Sequence, residues 1–113
     1  MFDFMLPKVP QADAKDLYKA IQEKDDIYIL DVRTQQEFLR GKIKDSINLP
    51  VDQVAGKITS VISDKNKKIF VYCLSGSRSV FAVDTMIKLG YKNVLDVKSG
   101  LLAWKVNQFP LSS

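Results

Sequence analysis

The chain carries one cysteine, Cys73, and no histidine. Cys73 stands in the run IFVYC-LSGSR-SVFAVDTMIKLG: an apolar stretch, the thiol, a short Gly/Ser loop, an arginine and then a helical pattern. Gly76 permits backbone angles that other residues avoid, so the loop residues Leu74, Ser75, Gly76, Ser77 and Arg78 can curl their N–H groups into an anion-binding concavity. The helix start behind the loop adds a partial positive charge, and Arg78 adds a full one on a planar donor fork. All three effects favour a thiolate over a thiol, and the thiolate is the nucleophile. A helix terminus alone contributes about 0.3–1 kcal/mol, so strong activation needs the loop amides and Arg78 as well. The blander alternative is a small buried cysteine that ends a core strand. Without histidine, the usual Cys/His zinc sites and the Ser–His and Cys–His catalytic pairs are excluded, and neither metal nor cofactor is expected. A single cysteine also forms no internal disulfide, so nothing points to an oxidising compartment.

The elements that must position this loop follow from the hydrophobic pattern. Short β-branched runs at Ile27 to Val32, Ile47 to Leu49, Ile69 to Cys73 and Val94 to Val97 predict strands, and their near-continuous apolar character suits strands covered on both faces. Helices are predicted between them. Asp13 to Glu23 sets Ala14, Leu17, Tyr18, Ala20 and Ile21 on one side. Thr34 and Glu37 have capping-box spacing for a short helix that Gly41 ends. Asp52 is placed to cap a helix with inner face Val54, Ala55, Ile58, Val61 and Ile62. Ser79 to Leu89 follows the loop with an apolar stripe of Val80, Val83, Met86 and Ile87, leaving Phe81 off it, and Ser99 to Asn107 is the last helix. This alternation predicts one α/β domain over residues 1–113. Its sheet is open and mainly parallel, of about four to five strands, with helices on both faces. In such sheets ligands sit outside the carboxyl ends of the strands. Asp31 and Cys73 both fall there.

Several segments together resemble the rhodanese family over roughly Val9 to Leu111. They are Asp31-Val32-Arg33 with Glu37-Phe38; Gly41 to Pro50; Cys73-Leu74-Ser75-Gly76-Ser77-Arg78-Ser79, similar to a C-x-x-G-x-R-S loop; Leu89-Gly90-Tyr91 with Val94; and Gly100, Ala103-Trp104 and Pro110. Three positions depart from the pattern: Lys42 where histidine is usual, and Ser99 and Gln108 where glycine is common. The resemblance implies a sulfurtransferase. The Cys73 thiolate takes the outer sulfur of a donor such as thiosulfate, leaving a persulfide that cyanide or a thiol then removes. It also implies that the amides from Leu74 to Arg78 hold the anionic donor, with Arg78 as anion binder or loop fastener. A carboxylate beside a thiolate opposes its ionisation. Asp31 is therefore read as bracing the loop, through an arginine or backbone N–H groups, with direct substrate contact as the alternative for Asp31 and Arg33.

Two rivals stand beside this reading. Phosphatases and arsenate reductases also set Cys and Arg around an anion loop, but with C-x5-R spacing, whereas only Leu74 to Ser77 separate Cys73 from Arg78. The other rival is a persulfide carrier or sulfide-sensing module without small-molecule turnover. The expected partners are a small anionic sulfur donor and a thiol acceptor or sulfur-relay protein, in keeping with a net charge of +4. Neither nucleic acid nor membrane is expected, and the chain is read as a monomer or weak dimer. No apolar run approaches the roughly 20 residues of a membrane span. The opening MFDFMLPKVP lacks the basic and apolar regions of a secretory leader, which suggests a cytoplasmic protein.

Overall fold

A computed structural model describes residues 6–113; residues 1–5, part of the stretch just read as lacking a leader, lie outside the described residues. In chain order the elements are β1 (Gln11–Ala12), α1 (Ala14–Gln22), β2 (Ile27–Asp31), α2 (Gln35–Arg40), β3 (Ile47–Asn48), α3 (Val54–Val61), β4 (Lys68–Tyr72), α4 (Ser77–Lys88), β5 (Val94–Val97) and α5 (Gly100–Val106). The five strands form one sheet in the order β1-β5-β4-β2-β3. Every named pair is parallel.

The period-2 alternation of β4 divides the core. Ile69, Val71 and Cys73 point to one face, where they meet Val54 and Ile58 of α3 and Ala82, Val83 and Met86 of α4. Phe70 and Tyr72 point to the other, against Leu17 and Ala20 of α1 and Leu101 and Trp104 of α5. Both faces are thus covered, which is why the strands read as continuous apolar runs rather than alternating ones. No helix among the described residues is long and apolar enough to cross a membrane.

Some local expectations are corrected. The two-residue β1 escapes a pattern search, because it is held by pairing to Asp96 and Val97 rather than by its own composition. Asp52 caps nothing; it lies inside a 3-10 turn, Val51–Gln53, that leads into α3. Ala55, Val61 and Ile87 are exposed. These helices each cover the sheet with a narrower stripe, and in α4 that stripe includes Ala82 instead of Ile87. Helix α4 also begins two residues early, at Ser77, with Gly76 as its N-cap.

Candidate active site around Cys73

Cys73 follows the last residue of β4, where the chain leaves the sheet. The loop after it turns because Gly76 takes φ 111° and because the next helix in space pulls on it. The amides of Leu101 and Leu102, in the first turn of α5, donate to the carbonyls of Cys73 (2.9 Å) and Leu74 (3.0 Å). With those carbonyls turned toward α5, the amides on the other side of the loop face the sulfur. Sγ accepts N–H bonds from Gly76 (3.1 Å) and Ser79 (3.4 Å). These are two fixed dipoles at the N-terminal end of α4, aimed at one atom. Gly100 permits the close approach: a Cβ there would lie 2.3 Å from the carbonyl oxygen of Cys73.

A third contact continues inward. Sγ and Ser79 Oγ are 3.3 Å apart, and Ser79 Oγ donates to Asp96 Oδ1 at 2.5 Å. Asp96 Oδ2 accepts from Gln11 Nε2 at 2.8 Å. Cys73, Ser79 and Asp96 are all fully buried, and burial raises the pKa of Asp96, against the lowering effect of the Ser79 and Gln11 hydrogen bonds. The sequence marked Ser79 as a helix start and as the end of the C-x-x-G-x-R-S loop, but not as a partner of the sulfur, and it did not mark Asp96 or Gln11. The available signal was Asp96 itself, an acid inside the strand VLDV, where parity puts it on the face of Val71 and Cys73.

The Arg78 guanidinium does not hydrogen-bond to the sulfur. It holds both carboxylate oxygens of Glu37, at 2.7 and 3.1 Å, and so ties the start of α4 to α2. That hydrogen-bonded pairing is the main reason the Glu37 pKa is lowered to about 2. Glu37 meanwhile completes the capping box of α2, accepting from the Thr34 amide at 3.0 Å while its own amide donates to Thr34 Oγ1 at 3.2 Å. Asp31 and Arg33 form a separate buried pair. Arg33 donates to Asp31 through its backbone N–H (2.9 Å), Nε and Nη2 (2.7 Å), and through Nη2 to the Gly41 carbonyl. Burial disfavours the Arg33 charge, but the Asp31 carboxylate outweighs it, and the net shift of the guanidinium is upward. Neither residue hydrogen-bonds to the cysteine loop; together they brace the exit of β2.

Beside the loop lies an open cleft lined by Arg33, Glu37, Arg40, Gly41, Leu74, Leu101, Lys105 and Leu111. Of its three cations Arg33 is paired with Asp31, which leaves Arg40 and Lys105, while its one carboxylate, Glu37, is held by Arg78. The sequence had not marked Arg40 or Lys105, which come from different helices. Cys73 does not line the cleft: in this structure its sulfur is covered. No group of acidic or cysteine side chains that would hold a metal ion occurs among the described residues.

The model of the rhodanese-like domain matches residues 13–107. The chain belongs to the rhodanese-like family. A rhodanese-related protein of Thermoplasma volcanium superposes with a TM-score of 0.81 at 33% identity, over 92% of this chain and 98% of that one. A sulfurtransferase of Allochromatium vinosum is 28% identical over 103 residues, covering 91% of this chain and 94% of its own. Thiosulfate sulfurtransferase 18 of Arabidopsis thaliana is 35% identical over 97 residues, 74% of this chain and 71% of its own. Other relatives are longer. The rhodanese-like chain spans 26% of the adenylyltransferase and sulfurtransferase MOCS3 of Arabidopsis thaliana, for example. Two departures from the family pattern have a local consequence: Ser99 (φ 59°) and Gln108 (φ 60°) both occupy the left-handed region where glycine is common in the family. The third, Lys42, bridges to Ser112 through its backbone and lays its ammonium over the Phe38 ring.

Proposed function

We propose that this rhodanese-like chain is a sulfurtransferase that carries sulfane sulfur as a persulfide on Cys73. The donor is a small anion such as thiosulfate, and the acceptor is a thiol, either a small molecule or a protein of a sulfur relay. The observation that carries this reading is the pair of amides, from Gly76 and Ser79, bonded to the only thiol of the chain. Those dipoles stabilise a sulfur anion without any histidine, and they suit both the thiolate and the charged persulfide. Attack of the thiolate on the outer sulfur of thiosulfate forms the S–S bond of the persulfide and releases sulfite. Attack by cyanide or a thiolate on the outer persulfide sulfur then restores the Cys73 thiolate. The cations Arg40 and Lys105 of the cleft favour an anionic donor at its mouth. Sulfur transfer named for the Allochromatium and Arabidopsis relatives supports the same chemistry. Arg78, paired to Glu37 and one residue closer to the cysteine than in a C-x5-R loop, is poorly disposed to clamp a phosphoryl group. The test is intact mass after incubation with thiosulfate. One added sulfur that cyanide removes, and that is absent in Cys73→Ser, is expected. No added sulfur with thiosulfate, but one with a persulfidated protein donor, would make the chain a carrier instead.

A further inference from the structure

The sulfur, the Ser79 hydroxyl and the Asp96 carboxyl form one continuous hydrogen-bonded row, with contacts of 3.3 and 2.5 Å and no side-chain exposure at any of the three residues. Two protons satisfy such a row in either of two ways. With Cys73 as a thiol, S–H points to Ser79 Oγ and O–H points to an ionised Asp96. With Cys73 as a thiolate, protonated Asp96 points to Ser79 Oγ and the hydroxyl points to the sulfur. A row with one proton serves only one of the two contacts and leaves two buried anions on either side of a single hydroxyl.

We propose that Asp96, acting through Ser79, is a positioning residue that takes up the proton Cys73 gives up and holds it while the sulfur acts as nucleophile. In the shift the thiol proton passes to Ser79 Oγ as the hydroxyl proton passes to Asp96 Oδ1. The row keeps two protons and one negative charge, and that charge moves from carboxylate to sulfur. The surroundings favour the move. At the sulfur the charge meets the amides of Gly76 and Ser79 at the N-terminal end of α4. At Asp96, among the described residues, its side-chain hydrogen bonds come from Ser79 of α4 and Gln11 Nε2 of β1, while its β4 register partner is the apolar Val71. No charged side chain among the described residues hydrogen-bonds to Asp96. The charged groups near the sulfur are Arg78 and its partner Glu37, with the Asp31–Arg33 pair beyond. Burial raises the Asp96 pKa, the direction a proton store requires. During transfer Asp96 stays protonated. The Ser79 hydrogen bond to sulfur weakens as the persulfide forms and strengthens as the Cys73 thiolate leaves again.

This deepens the sulfur-transfer reading, yet its test uses no sulfur donor, so the two fail separately. Thiolate absorbance is titrated in the wild type and in Asp96→Asn, with Cys73→Ser as the blank for other chromophores. A coupled acid pair loses its protons in two macroscopic steps. The wild type is expected to gain most of its thiolate in the first step, with Asp96 still protonated, and the remainder at higher pH. A carboxamide cannot take the proton, so Asp96→Asn is expected to give one step to full amplitude. Thiolate that appears in the wild type only as the protonated-carboxyl infrared band disappears, or two steps in the variant, overturns the proposal. If Asp96→Asn does not fold, the infrared spectrum of the wild type decides. A protonated-carboxyl band lost together with the second thiolate step is expected, and no such band at neutral pH overturns the proposal.

Discussion

At the scale of single residues, the charge of Arg78 has two claimants: the anion at the sulfur and the carboxylate of Glu37. The short run from Leu74 to Ser77 and the helix start put Arg78 in the first turn of α4, close in sequence to Cys73. What the spacing did not reveal was Glu37, 41 positions away, as the group that holds the guanidinium. Glu37 was legible only as a cap, and its second task depends on α2 and α4 meeting in space. Glu37→Gln removes the competing charge while keeping an amide oxygen for the guanidinium. The thiosulfate KM is therefore expected to fall roughly three- to fivefold, equivalent to about 0.7–1 kcal/mol. The pair is about one-third exposed, so screening holds the loss of stability to about 1 kcal/mol or less. Steady-state kinetics and urea unfolding of the variant check both values. An unchanged KM would mean that the Arg78 charge does not act on the donor.

Among the elements, the start of α5 does for the loop what no residue of the loop does for itself. Its first-turn amides need acceptors, and the carbonyls of Cys73 and Leu74 supply them. The strand and helix types were readable from sequence because β4 is apolar on both faces, β5 is apolar but for Asp96, and α1 and α4 carry clear stripes. The loop's conformation was only half readable. Gly76 announced a turn, but the partner that fixes its direction lies on α5, beyond the whole of α4 and β5, which no local pattern reports. Gly100 is where this junction is most exposed to test. An added Cβ would meet the Cys73 carbonyl oxygen at 2.3 Å, and φ there is +47°. Left-handed strain costs about 1–2 kcal/mol and overpacking about 1–3 kcal/mol, so Gly100→Ala is expected to lose roughly 2–5 kcal/mol. Chemical denaturation measures that loss. Sulfur loading from thiosulfate is expected to fall as well, because relieving the clash shifts α5 and the cysteine loop relative to each other.

For the molecule as a whole, two acids set opposite slopes on stability against pH. Glu37, held by Arg78, has its folded pKa lowered to about 2. Its contribution is fully present above the unfolded glutamate value of about 4.3 and is lost as pH falls from there toward 2. Asp96 works the other way. Burial raises its folded pKa, so above the unfolded aspartate value of about 3.9 the folded protein binds more protons than the unfolded chain. Stability therefore declines with rising pH up to the folded Asp96 value and stays reduced beyond it. The carboxamide of Asp96→Asn has no proton to lose and leaves the Glu37 slope untouched. Relative to the wild type, the variant is thus expected to gain stability from about pH 4, near the unfolded aspartate value, up to the raised folded value of Asp96, even if it starts as the less stable protein. Urea midpoints of both proteins across that range give the comparison directly. Parallel curves would mean that Asp96 ionises in the folded protein as readily as in the unfolded chain. Its burial between Gln11 and Ser79 would then carry no proton-linked cost, and the difference in free energy between the two proteins would be a packing effect alone.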